Sequence, residues 1–549
     1  MYNLIRIGGA FVLSKKDASR SLLGGVFILG AGNLLVKVIG LVFKIPLSRL
    51  LGDLGMGYFN TGYTVYSWLF LIGCTGFPIA VSMLVSESVE SESESDRGAG
   101  RILAVSLCFL FLLGSVGCFF LLFFAGRIAE RIGNPGSAET IAAIAPAVLF
   151  CSLSGGIRGY FQGKKRMAPT AVSQLVEALL KLILGIIFAR RALSKGAALS
   201  SVAAAAIRGV TVGTVASTVF LLIELFFERE RPTINNKGRN RGSTRGVARR
   251  LLLLAAPITF SATVTSVTGL IDLLFVMKRL VAAGYTPSDA TALFGNYTTL
   301  AVPFFNLPGI LISPIATGVV PFVSGDLAKG DATRANRRCS LALRSAVVLS
   351  IPSAILLGLF GERILSLFFV RSSASVAAPA LSILSPGIVF LSLVTVSSAI
   401  LQARGKAGVT VFSMLLGSVV KTVVGYFLIG IPAIGVYGAS IGTVLCYAVA
   451  ATVNMTVLTV GGRNRFSIGD LLRPILPAAL SISLSYLPLS LLGNPGSAFS
   501  TLFLICFTAV LYLPFCLLFG SVTRGELENV PLIRRTIDRF LTRGGAKEN

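Results

Sequence analysis

Long apolar stretches, broken by short polar and basic segments, run through almost the whole chain. Fourteen of them fall at about 21–50, 56–86, 99–125, 138–161, 167–191, 200–228, 247–281, 292–324, 335–360, 378–403, 408–431, 433–460, 469–492 and 498–520. About 20 apolar residues span the hydrocarbon core of a bilayer as a helix. A helix also satisfies its own backbone polar groups, which lipid demands. The period-2 alternation of a membrane barrel strand is absent. The pattern predicts an all-α polytopic membrane protein of about 14 transmembrane helices.

The stretches repeat. Offsetting the chain by 240 residues superposes 138–185 on 378–425, with Pro146 on Pro386, Gln162 on Gln402 and Lys181 on Lys421 among 11 identities in 48 positions. An offset of 236 superposes span 2 on span 8, including Asn60 on Asn296, Gly73 on Gly309 and Pro78 on Pro314. The repeat is therefore six helices long. Six is even, so the two copies share one orientation and form two pseudo-symmetric lobes about an axis along the membrane normal. Parallel repeats of this kind build transporters that rock two bundles around a central site. The predicted organisation is an N-terminal lobe (1–228, spans 1–6), a basic cytoplasmic linker (229–246), a C-terminal lobe (247–460, spans 7–12), an extra helix pair (461–520, spans 13–14) and a basic cytoplasmic tail (521–549).

Composition agrees with the pattern. Hydrophobic residues make up 54% of the chain and charged residues only 13%, yet the net charge is +26. So basic a chain can indicate nucleic acid, but here the bases lie between apolar stretches. With the N-terminus in the cytoplasm, 33 of the 49 Lys and Arg fall on the cytoplasmic side, nine on the outer side and seven within spans. That is the positive-inside bias, and it predicts a bacterial inner-membrane protein with both termini cytoplasmic and no nucleic-acid partner. The first apolar run is too long for a signal-peptide core and lacks a small-residue cleavage site, so it reads as an uncleaved span. The eight bases of the segment 229–250 are also suited to anionic membrane lipids. The chain has no His, and its eight Cys form no CxxC pair, so no metal site built on His is expected. No phosphate-binding Gly-rich loop with Lys appears, and no loop is large enough for a catalytic domain. The chain reads as a transporter rather than an enzyme, with no cofactor. An ion gradient or the membrane potential remains as a source of energy.

A charge at mid-bilayer costs at least about 2.5–3.5 kcal/mol on insertion scales, so charges inside spans are the first functional candidates. Lys37, Lys44 and Arg49 lie along span 1, Lys181 in span 5 and Lys421 in span 11. Glu177 precedes Lys181 by one helical turn, which lets the two pair along one face. Asp272 in span 7 is placed to neutralise one of the lysines from another helix. Glu177 and Asp272 balance charge or couple to an ion. The excess of bases suits an anionic substrate; a carrier of cationic drugs calls for unpaired carboxylates. Span 8 carries Pro308 and Pro314 among four prolines, and span 2 carries Gly73 and Pro78 at the matching place. Interior prolines remove helix hydrogen bonds, and interrupted helices in corresponding positions of two halves mark moving parts. These four are the predicted hinges.

Several segments carry a family resemblance. They are Lys37–Gly40, Ile45–Leu47 and Leu51–Asp53 followed by Gly55–Gly57; Gly76–Ala80 with Leu84–Glu87; Gly159–Gly163 with Pro169, Thr170, Ser173, Gln174 and Glu177; Asn306–Pro308; and Gly438, Ala439, Gly442 and Thr443. Together they resemble the stage V sporulation protein B family, close to the lipid II flippases of the multidrug/oligosaccharidyl-lipid/polysaccharide exporter superfamily. The resemblance implies fourteen helices in two lobes, alternating access, and a substrate such as lipid II or a related undecaprenyl-pyrophosphate glycan of cell wall or spore cortex. It also places Lys37 where lipid II flippases carry an important Arg in the first span, and Arg49 at a basic position. A Lys/Arg cluster can hold a pyrophosphate by charge-assisted hydrogen bonds, with Lys for Arg losing the bidentate fork. Two alternatives stand beside the flippase: a cation-coupled drug exporter of the same superfamily, and a non-transporting scaffold for cell-wall synthesis proteins.

Overall fold

A computed structural model describes residues 15–71, 76–90, 95–228, 244–460, 469, 472–491 and 497–521. Helix is the regular structure throughout these residues. In chain order the helices are α1 (Lys15–Leu71), α2 (Phe77–Glu90), α3 (Ser95–Ile132), α4 (Ala138–Gly163), α5 (Ala168–Ser194), α6 (Leu199–Phe226) and α7 (Thr244–Ala282). They continue with α8 (Pro287–Asn296), a π-helical turn (Tyr297–Ala301), α9 (Val302–Ala328), α10 (Ala332–Ser366), α11 (Arg371–Leu384) and α12 (Gly387–Ala403). The last four are α13 (Ala407–Ile429), α14 (Tyr437–Val460), α15 (Ile475–Leu491) and α16 (Ala498–Leu518). Among the described residues nine helices are long and apolar enough to cross a membrane, and ten if the bent pair α11–α12 counts as one span. The protein is a multi-pass membrane protein. The expected linker and tail lie largely outside the described residues.

The expected first span and the first part of the second (56–86) run together in α1, and the described remainder of the second lies in α2. Helix α1 breaks at Gly52 (φ 62°, ψ −175°). That conformation is essentially reserved for glycine, so one residue does the work of a loop. The repeat is visible in the backbone as well. Lys165 and Gly405, 240 positions apart, both end a helix in the left-handed region, with φ of 61° and 72°. Pro146 and Pro386 are also repeat-equivalent but act differently. Pro146 is carried inside a continuous α4, where the Thr211 hydroxyl donates to the Ala143 carbonyl at 2.8 Å. Pro386 stands at the break between α11 and α12, which bend by 53°.

The chain divides into two compact units, 1–270 and 271–549. The division falls inside α7 because the start of that helix sends Leu251 and Ala255 into a cluster with Phe77, Val81 and Leu84 of α2. In the first unit, α1 packs on α4, α5 and α6, and α5 lies along α6. In the second, α9 packs on α10 and α12, α13 lies along α14, and the α15–α16 pair docks on α10. Lipid is as apolar as leucine, so helices in a membrane are drawn together by close packing and hydrogen bonds, and small residues allow the closest approach. Two glycine pairs at four-residue spacing do this here. A methyl group on Gly213 of α6 would lie 2.8 Å from the Glu177 carbonyl oxygen and 3.1 Å from the Lys181 amide nitrogen. On Gly442 of α14 it would lie 3.1 Å from the Lys421 carbonyl oxygen. Gly209 and Gly438, one turn earlier on the same faces, abut Gly185 of α5 and Leu428 of α13 in the same way. Close crossings in both units therefore include the turns that carry the intramembrane lysines.

Candidate functional site

The two repeat-equivalent lysines have different surroundings. Lys181 on α5 is half-buried, and its ammonium donates to the Tyr63 hydroxyl of α1 at 3.0 Å. It also lies 4.5 Å from the centre of the Tyr63 ring and 5.5 Å from that of Phe43. Such contacts favour a cation through the negative face of the ring. The rings are held in place by their own packing: Phe43 meets Phe59 edge-on at 5.9 Å, and Phe59 stacks on Tyr63 at 5.8 Å. Among the described residues Lys181 forms no ion pair with a carboxylate. Lys44 follows Phe43 on α1 and is half-buried, while Lys37, two turns earlier on the same face, and Arg49 are exposed. The first unit thus gathers bases around α1 and α5 with aromatic rather than acidic support at Lys181.

Glu177 does not pair with Lys181 as the one-turn spacing suggested. Its carboxylate accepts from Arg158 of α4 at 2.9 Å and from the Thr214 hydroxyl of α6 at 3.3 Å. The same guanidinium donates to Ser173 on α5 at 3.0 Å and to Ser217 on α6 at 2.8 Å. Arg158 is 7% exposed. It reads as a loop-proximal base in the sequence, yet it ties three helices together inside the unit. The Arg fork can serve several acceptors at once, and here it serves Glu177, Ser173 and Ser217. Glycines at 156 and 159 mark this stretch as one where helices approach closely.

In the second unit Lys421 of α13 donates to Asp272 of α7 at 2.8 Å, with side chains 3% and 11% exposed. Here the lysine is neutralised across a helix crossing. Two turns along α7, Arg279 donates to the Tyr426 carbonyl at 2.9 Å and covers the Tyr426 ring at 4.2 Å. A small cavity beside the pair is lined by Asp272, Phe275, Lys421, Thr422 and Tyr426. Nearby, the Tyr297 and Thr443 hydroxyls are 3.5 Å apart.

Of the predicted hinges, Pro308 and Pro314 lie inside α9, which remains one helix despite three internal prolines. Pro78 lies buried in the first turn of α2, and Gly73 falls outside the described residues. Among the described residues no cluster of three or more His, Cys, Asp or Glu could hold a metal ion. Tyr63, Arg158 and Arg279 escaped the sequence reading. A tyrosine that serves as a hydrogen-bond acceptor looks, in sequence, like any other aromatic core residue.

Comparison with known proteins places this arrangement. The profile of the polysaccharide biosynthesis protein family matches residues 22–325, and that of the MatE family matches residues 257–427. The chain is 24% identical over 538 residues to stage V sporulation protein B of Bacillus subtilis (strain 168), covering 95% of this chain and 100% of that one. It is 26% identical over 451 residues to the lipid II flippase MurJ of the same organism, covering 78% of this chain and 81% of that one. Among solved structures it resembles lipid II flippase MurJ in an inward closed conformation, with a TM-score of 0.67 at 16% identity over 90% of this chain and 98% of that one. It also resembles a multidrug resistance MATE family transporter in an inward-facing conformation, with a TM-score of 0.66 at 16% identity over 79% of this chain and 95% of that one. At these identities the structural likeness speaks for the fold.

Proposed function

Because the chain belongs to the polysaccharide biosynthesis protein family, within the multidrug/oligosaccharidyl-lipid/polysaccharide exporter superfamily, we propose that this membrane transporter is a flippase for an undecaprenyl-pyrophosphate-linked glycan. The substrate is lipid II or a related cell-wall or spore-cortex precursor, moved from the cytoplasmic to the outer leaflet by alternating access of two six-helix lobes. The full chain then makes about 14 spans with both termini in the cytoplasm. The observation that carries the reading is the Lys181 ammonium, which among the described residues has a phenol and aromatic rings for partners and no carboxylate. Such an ammonium is placed to donate to an incoming anion. A pyrophosphate accepts charge-assisted hydrogen bonds from lysine, and Lys37 and Lys44 add charge along α1, with Arg49 toward the outer mouth. Lys421 is committed to Asp272, so attraction of the anion falls to the first unit's bases. Bending in spans 2 and 8 supplies the motion, and an ion gradient or the membrane potential the energy.

The drug-exporter reading draws on the MatE match, but both carboxylates that would receive a cationic drug, Glu177 and Asp272, are taken by Arg158 and Lys421. The test is flipping of fluorescent lipid II in proteoliposomes by wild type, Lys37→Ala and Lys181→Ala. A hydrogen bond to a charged group is worth roughly 1.5–3 kcal/mol, so each variant is expected to lose about tenfold or more. Equal flipping by all three sinks the basic-site reading. No flipping by a folded wild type points to another glycan lipid or to the scaffold.

A further inference from the structure

A carboxylate inside a membrane protein needs a cation beside it, because an unpaired charge in that setting is expensive. The cation can come from solution or from the chain. At the α7–α13 crossing it comes from the chain: the Lys421 ammonium sits 2.8 Å from Asp272, and both side chains are buried. Two further observations show that this occupancy is built in. Gly442 of α14 crosses at this turn, where a methyl group would lie 3.1 Å from the Lys421 carbonyl oxygen, so the missing side chain lets α14 pack closely on the turn that carries the lysine. And the repeat-equivalent Lys181 takes Tyr63 and two rings instead of an acid. The lysine is thus common to both units, while the acid belongs to the second alone. Of the two other charged groups on this stretch of α7, Lys278 is exposed and Arg279 is turned to the Tyr426 carbonyl and ring. The cavity lined by Asp272, Lys421 and Thr422 borders the pair and would merge with the space left by the ammonium.

We propose that the α7–α13 crossing is a monovalent-cation site whose occupant is the chain's own Lys421, so that the protein takes no dissolved metal ion at Asp272. Coupling of transport to an inorganic cation does not pass through this carboxylate. Removing the ammonium while keeping the acid vacates the site for Na+. The proposal is independent of which lipid the protein carries.

The test is thermal unfolding of purified full-length protein in detergent, in NaCl against choline chloride at equal ionic strength. Wild type is expected to unfold at the same temperature in both salts. Lys421→Ala is expected to unfold earlier than wild type in choline chloride and to recover in NaCl, with a rise that saturates. The double variant Lys421→Ala/Asp272→Asn is expected to lose the NaCl dependence. A saturable NaCl stabilisation of wild type that disappears in Asp272→Asn overturns the proposal, because the acid then accepts a metal ion with the lysine in place. So does a folded Lys421→Ala that ignores NaCl. Should Lys421→Ala be unrecoverable, recovery of the double variant supports the proposal, since the neutral pair no longer needs a cation. Failure of the double variant as well overturns it.

Discussion

The docking of α15–α16 on α10 makes a sharp test of how this membrane protein handles a proline. Pro352 lies inside α10 and has no N–H to offer, so the Val348 carbonyl four residues earlier loses its helical partner. The Tyr512 hydroxyl of α16 donates to that carbonyl at 2.8 Å. Tyr512→Phe removes one oxygen atom and leaves the ring, so packing is conserved and a buried acceptor is left unsatisfied. Such a group costs about 1–3 kcal/mol. Pro352→Ala restores the N–H, and on that background the carbonyl is satisfied within α10. Tyr512→Phe should then cost about 0.5 kcal/mol or less, so the two substitutions should couple by roughly 1–2 kcal/mol, inside the range seen for residues in contact. Unfolding titrations from dodecylmaltoside into mixed SDS micelles, followed by helical circular dichroism on wild type, both single variants and the double, measure the coupling. Equal cost of Tyr512→Phe on both backgrounds would refute the idea that the tyrosine replaces the missing N–H. The same docking surface includes Arg344 donating to the Ser521 carbonyl at 3.3 Å and Phe360 against Tyr486 at 5.4 Å, and neither should respond to Pro352→Ala.

Other outcomes follow from the same geometry. Arg158→Ala strands the Glu177 carboxylate and takes the partner from the Ser173 and Ser217 hydroxyls, and breaking a buried pair costs about 3–5 kcal/mol; adding Glu177→Gln should recover part of it in the same titration. Gly213→Ala forces α5 and α6 apart, since the new methyl meets the Glu177 carbonyl at 2.8 Å, and overpacking costs about 1–3 kcal/mol. Gly309→Ala meets nothing within 4 Å and should be neutral or stabilise by up to about 1 kcal/mol. If the two glycine variants behaved alike, close helix approach would not be what Gly213 provides.

Much of the architecture can be read from one dimension. Apolar length marks helices that cross a membrane because lipid imposes a thickness and forbids unpaired backbone. The offset of 240 residues that joins Lys181 to Lys421 holds in three dimensions at Lys165 and Gly405, where both chains turn through the left-handed region. The intramembrane charges also stand out in sequence, because each is costly. Their partners do not. Glu177 and Lys181 share a helical turn, and a local rule pairs them; yet Glu177 turns to Arg158 and Thr214 on α4 and α6, and Lys181 turns to Tyr63 on α1. Spacing along one helix says which residues lie near each other, but which neighbour a charge meets depends on the helices packed around it. Lys421 finds Asp272 for the same reason, 149 residues away in the chain and 2.8 Å away in space. So the sequence by itself determines a membrane protein of repeated helices with buried bases. Only the packing of those helices decides that one lysine meets a phenol and aromatic rings while its twin meets a carboxylate.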